Sequence, residues 1–217
     1  MSKKLISVIC VALLVLSFAS ARVINFAIGP SVSYSAGKVP VKESAGSTAD
    51  YSGFMFGLDG TVSLTFGERA EIYFQDQFNI SDKTAFEDLV TPGYKPAVSI
   101  DYISRVGYEH AILKGPVKLS AGGGVVVEVL TSFYQNETDE EKMVFPIVLN
   151  VGFGLTAKAE FSLGNHFALY VKGFADYYPS TAITVGVVPD TESEPPVYTG
   201  AMNNLSFSGS AGVILFF

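Results

Sequence analysis

The sequence predicts an all-β chain: eight antiparallel strands, joined up-and-down and closed into a barrel that spans a membrane. Three observations predict it. Of the 217 residues, 48% are hydrophobic and 16% charged, with 21 Gly, 17 Phe and no Trp. Such a mix favours strands over helices. Period-two alternation of oily and polar residues recurs from residue 22 to the end, as half-buried strands require. The connections between the alternating segments are long and short by turns, the rhythm of a transmembrane barrel.

The start of the chain stands apart. A short basic segment (Lys3, Lys4), an apolar run from Leu5 to Phe18 and the small-residue ending Ala19-Ser20-Ala21 read as a secretory signal peptide cleaved after residue 21. Residues 22–217 then form one barrel domain. Cys10, the only cysteine, lies inside the apolar run, so the exported chain is expected to have no disulfide. Removing Lys3 and Lys4 leaves 12 bases against 21 acids, a net charge of −9, which argues against nucleic acid as a partner. No apolar run long enough for a membrane-spanning helix follows residue 21.

The expected strands are 22–35, 51–66, 69–80, 97–109, 116–134, 143–162, 166–180 and 203–217. The first carries Pro30, which weakens ladder pairing. The second sets Phe54, Phe56, Leu58, Val62, Leu64 and Phe66 against Gly53, Gly57, Asp59, Thr61, Ser63 and Thr65. The third places Asp76 among Ile72, Phe74 and Phe78 on its oily face, a costly position for a charge unless a bulge turns it inward or the wall has a gap. The fourth and fifth supply alternating charges, with Gly122-Gly123-Gly124 in the fifth. That triplet gives room for a large lumen neighbour such as Tyr170 or lets the strand curve. In the sixth, Phe145 to Phe161 share one parity and Pro146 to Glu160 the other, Pro146 again weakening the ladder. The seventh adds Lys172 and Asp176. The eighth aligns Leu205, Phe207, Gly209, Ala211, Val213, Leu215 and Phe217 against Ser206, Ser208, Ser210 and Gly212.

The polar parity is rich in Gly and Ser, which suits a lumen only just wide enough for side chains. The bulky oily parity then faces lipid, and a soluble barrel with the faces reversed would carry more Lys and Glu outside. By this parity the lumen receives Asp59, Glu71, Asp101, Arg105, Glu109, Lys118, Glu128, Lys158, Glu160, Lys172 and Asp176, seven acids and four bases. Charges in a narrow lumen must be paired. They form either a structural plug of ion pairs or a cation-preferring pathway.

Other motifs carry less. Gly152-Phe153-Gly154-Leu155-Thr156-Ala157 matches a dinucleotide fingerprint in letters, but the strand pattern runs through it where a helix should begin. His110 and His166 fall in short turns, away from the long-loop rim where a barrel enzyme would need them. No enzyme activity, cofactor or metal site is expected. The long loops hold Glu137, Asp139, Glu140, Glu141, Asp190, Glu192 and Glu194 against Lys142.

The strand rhythm, the signal peptide and the terminal Phe217 together resemble the small bacterial outer-membrane β-barrels of the OmpA-transmembrane, OmpX and OmpW types. The resemblance implies an outer-membrane location with both termini in the periplasm, and lipid and the barrel-assembly machinery as partners. It also implies that Val213, Leu215 and Phe217 form the C-terminal assembly signal. Two functions follow as expectations. One is a structural or surface-interaction role in adhesion or envelope integrity, with surface ligands met through long acidic loops. The other is an OmpW-like conduit for small or hydrophobic molecules.

Overall fold

A computed structural model describes residues 23–40, 48–67, 69–82, 93–139, 142–188 and 197–217. The expected signal peptide and most loop residues lie outside the described residues. Eight strands follow in chain order: β1 Val23–Pro40, β2 Thr48–Phe66, β3 Ala70–Ser81, β4 Tyr94–Leu113, β5 Val117–Asn136, β6 Met143–Ser162, β7 Phe167–Val188 and β8 Val197–Phe216. Each pairs antiparallel with its neighbour, and β8 closes on β1. No helix among the described residues is long and apolar enough to cross a membrane.

Closure explains the apolar C-terminus. The Phe217 amide donates to the Ile24 carbonyl at 3.0 Å and the Ile24 amide to the Phe217 carbonyl at 3.3 Å. The Phe217 ring meets Phe26 edge-on, with centroids 5.6 Å apart. A strand edge that would otherwise be open is thereby paired. Val213, Leu215 and Phe217 all point outward, whereas Phe216 turns in against Ala168, Tyr170 and Ile214.

The strands are longer than the alternation suggests. The first and last inter-strand loops were expected to span about 15 and 22 residues, yet the strands leave only 41–47 and 189–196 between them. The physical reason lies on the outward face. Beyond Tyr34, Phe54 and Tyr177 that face turns to Ser, Thr, Ala, Lys and Asp, so the oily half of the alternation ends while backbone pairing continues. Pro179 marks a further break. Register shifts there between Tyr178 and Ser180, and the inward positions change from even to odd, Tyr178 to Thr181 and Ile183. A bulge of this kind hides a strand's continuation from a parity count. His110 likewise sits within β4, on its outward face, rather than in a turn.

The prolines behave as their chemistry demands. Between Ile28 and Ser31 the β1–β8 ladder is interrupted, and Pro30 sits in that break. Pro146 falls in the gap of the β5–β6 ladder between Ile147 and Val144, where Thr131 Oγ1 donates to its carbonyl at 2.9 Å. Gly122 makes a close approach rather than room for Tyr170: a Cβ there would collide with the Tyr108 carbonyl oxygen on β4.

Candidate functional site

Alternation places one residue in two inside the barrel, and all eleven charged positions on the inward parity face the lumen. Ten are buried, and Lys118 is partly exposed at the mouth beside the chain termini. They are arranged in levels along the barrel axis.

At the end that carries the termini and the short turns, three lysines meet three glutamates. Lys158 Nζ lies 2.6 Å from Glu160, 2.9 Å from Glu71 and 3.0 Å from Glu109. Lys172 Nζ lies 2.6 Å from Glu109 and 3.9 Å from the centre of the Tyr73 ring. Lys118 reaches Glu160 at 3.2 Å and Glu71 at 3.5 Å. Charge is balanced at this level, which a poorly hydrated interior requires.

Above it sits Arg105. Its Nη2 is 2.5 Å from Asp176 Oδ2 and 2.8 Å from Ser208 Oγ. Nη1 donates to Gln75 and Gln77 at 3.2 and 3.1 Å, and the guanidinium stacks 4.1 Å from Phe174. Nε also donates to Asp176, so the planar fork uses five N–H bonds at once, where a lysine has three donors to offer. Asp59 accepts from Tyr170 Oη at 2.8 Å and from Gln75 Nε2.

The next level holds Asp101 and Glu128, fully buried and met by neutral donors: Ser33 and Asn79 for Asp101, Ser35 and Asn150 for Glu128. At the loop end the lumen turns oily. Val39, Ala49, Tyr51, Met55, Leu130, Tyr134, Val148 and Ile183 form one buried cluster, with Tyr94 against it. These residues had a signal in the sequence, because Tyr51, Met55, Leu130, Tyr134 and Val148 share the polar parity of their strands. Reading that parity for charge alone passed over them. The neutral lumen side chains Gln75, Gln77, Asn79 and Asn150 were missed for the same reason.

The outward face forms a belt of large apolar side chains, from Phe26 and Ile28 around to Leu215. Asp76 interrupts it. No register shift occurs in β3, so Asp76 keeps its outward direction, and Tyr102 Oη donates to it at 2.7 Å. At the loop end, Glu137 and Asp139 are not left to one base. Lys95 joins Glu137 at 3.6 Å and Lys142 joins Asp139 at 3.0 Å. Among the described residues, no three His, Cys, Asp or Glu side chains are grouped to hold a metal.

No protein-family model matches the chain, and no curated protein matches its sequence. Solved structures do. A major outer membrane protein from Thermus thermophilus aligns with a TM-score of 0.54 at 16% identity, over 88% of this chain and 99% of that one. The outer membrane protein OprG from Pseudomonas aeruginosa aligns with a TM-score of 0.54 at 9% identity, over 91% and 97%. Neisserial surface protein A aligns with a TM-score of 0.51 at 12% identity, over 88% and 97%. The chain has the fold of the small outer-membrane β-barrels. Its outward belt is therefore the face that such a barrel turns to lipid, and Asp76 lies within that face.

Proposed function

We propose that this barrel resides in a bacterial outer membrane and acts at its loop end, as a surface-interaction protein, rather than by passing solutes along its axis. The observation that carries the reading is the filled lumen. Ion pairs close the terminal end, Arg105 and its partners close the middle, and the Tyr51–Ile183 cluster closes the loop end. A charged or hydrated solute would have to break buried salt bridges and cross an apolar layer, at several kcal/mol each. The strands that continue beyond the oily belt raise a rigid rim on which loops are displayed, the arrangement in which binding residues are usually found. One of the aligned proteins, Ail of Yersinia pestis, is named an attachment invasion locus protein.

A second reading rests on β3. It is the shortest strand and stops at Ser81, leaving an outward hollow of about 370 Å³ lined by Phe54, Phe56, Ile80, Ser81, Asp82, Ala97 and Val98. Such a hollow would admit a small apolar molecule sideways rather than through the lumen.

Single-channel recording on the refolded protein separates axial conduction from both readings. The filled lumen is expected to give no stable conductance steps, and regular steps would overturn it. Replacing 137–142 and 189–196 with Gly-Ser linkers should abolish surface binding while the heat-shifted band of the folded barrel persists on gels. Retained binding would remove the surface reading.

A further inference from the structure

The polar interruption of the outward belt is larger than Asp76 alone. Gly60, Asp76 and Ser104 stand opposite one another in the β2–β3 and β3–β4 ladders, so they form one row across three strands. They share the outward parity of Leu58, Phe78 and Val106. The neighbouring rows are bulky: Leu58, Phe78 and Tyr102 on the loop side, Val62, Phe74 and Val106 on the terminal side. A Cβ added to Gly60 would meet nothing within 4 Å. The row is therefore a notch with a polar floor, set in a wall of large apolar side chains.

The notch holds both halves of a hydrogen bond. Tyr102 Oη donates to Asp76 Oδ1 at 2.7 Å, and Ser104 lies within hydrogen-bond reach of the same tyrosine. Among the described residues, Asp76 Oδ2 accepts no hydrogen bond. Ile72 and Phe74 separate Asp76 from the terminal end of the belt, and Phe78 and Ile80 separate it from the loop end, all four exposed. At that depth lipid tails offer no donor. An ionisable side chain there is costly unless something lying in the membrane meets it, and it marks a site on that ground.

We propose that this face pairs with the same face of a second copy, about a two-fold axis that runs along the membrane normal between β3 and β4. The inference rests on the membrane residence proposed above, and not on the loop-end role. Copies inserted in the same direction are related by such an axis, which sets β3 of each against β4 of the other. Each Asp76 then meets the Ser104 of its partner copy. The serine hydroxyl rotates to suit its acceptor, so it can donate to Asp76 Oδ2 across the axis, and the reciprocal bond forms by symmetry. Gly60 and Ser104 lack the bulk that would hold the two walls apart, as small residues do between membrane-spanning helices. A lipid tail could fill the notch but would leave the carboxylate unmet. A second copy fills it and supplies the donor.

Cysteine cross-linking in bilayers tests the pairing, since Cys10 is the only natural cysteine and lies in the expected signal peptide. Residues 22–217 are refolded into vesicles at high lipid excess with Val106→Cys, beside the notch on β4, or with Val171→Cys, across the barrel on β7. The two valines are similarly exposed, at 52% and 57%. Under a mild oxidant Val106→Cys is expected to give a disulfide-linked dimer, and Val171→Cys to stay monomeric. Adding Asp76→Leu should slow the Val106→Cys cross-link roughly tenfold, the effect of two hydrogen bonds of ordinary membrane strength. That variant removes a charge from the lipid face, so the heat-shifted band of the folded barrel should persist. Equal cross-linking at both positions would mean random collision and would overturn the pairing. Absence of a dimer at either position would overturn it too, as would a Val106→Cys dimer that Asp76→Leu leaves unchanged. Flotation of the chain with the vesicles tests membrane residence separately, so failure of that reading is distinguishable from failure of the pairing.

Discussion

The two ends of the lumen are sealed by opposite chemistry. The terminal end closes with three lysines and three glutamates in mutual contact. The loop end closes with a layer of Tyr, Met, Leu, Val and Ile. Both are buried to a similar degree, yet they tolerate error differently. An ion-pair seal holds only while the charges match, because a lost partner leaves a charge in a poor solvent. An apolar seal loses packing in proportion to the volume removed.

The largest effect should therefore come from the terminal end. Lys158 touches Glu71, Glu109 and Glu160, and Lys158→Met is expected to cost about 3–5 kcal/mol in unfolding experiments in detergent. Adding Glu71→Gln should recover a measurable part of that loss, because Lys118 still meets Glu160 and Lys172 still meets Glu109. If the single variant is as stable as the wild type, water fills this end and the seal is not one of paired charges.

The loop end gives the next effect. Leu130 is fully buried at the centre of the apolar layer, and Leu130→Ala should cost about 2–4 kcal/mol according to how far its neighbours collapse. No second substitution of a single charge should rescue it. Additivity with Lys158→Met within about 0.5 kcal/mol, as expected for separated sites, would confirm that the two seals act independently. A strong coupling would instead join them into one network.

How far this contrast was legible in the sequence depends on the level. The lumen charges follow from parity alone, because oily and polar residues cannot exchange faces without exposing one set to the wrong solvent, and closure follows from eight strands joined by connections that are long and short by turns. Lys158 and Glu160 on one strand, and Lys172 on the next, were assignable to the interior on that ground. Which acid meets which base was not, since register and shear bring Glu71 of β3 to Lys158 of β6 across the lumen. The apolar layer was hidden by a habit of expectation: Met55 and Leu130 sit on the parity read as polar. Strand extensions beyond the lipid belt were hidden by chemistry, since nothing outside demands an oily face there, and the Pro179 bulge reverses the parity. Asp76 was noticed, but its partner Tyr102 lies on β4, a pairing only the register reveals.

That outward pair tests whether the solvent, rather than burial by protein, sets these costs. Tyr102→Phe removes the hydroxyl that donates to Asp76 while keeping the ring. Hydrogen bonds to a charged acceptor are worth about 1.5–3 kcal/mol where water cannot replace them. The loss should approach that range in bilayers and fall in short-chain detergent, which lets water reach Asp76. The same loss in both would mean that Asp76 is already hydrated.

The smallest effect belongs to the ion pairs that resemble the terminal seal most closely in distance. Lys142 and Asp139 lie 3.0 Å apart at the loop end, no farther than Lys158 and Glu109. Their side chains are about half exposed, however, at 54% and 42%. Water already solvates both charges, salt screens them, and holding a lysine in one rotamer costs entropy. Lys142→Ala should change unfolding stability by no more than about 0.5 kcal/mol, and less still in about 0.5 M salt. The measurement is the same detergent unfolding series used for Lys158→Met. A loss above about 1 kcal/mol at Lys142, the upper end for exposed pairs, would show that the Lys142–Asp139 pair is packed rather than solvated, and the contrast between sealed and open ends would then need to be drawn higher on the barrel. A loss near zero, beside a loss of several kcal/mol at Lys158, would assign the difference to solvent access, because the pairwise distances are matched.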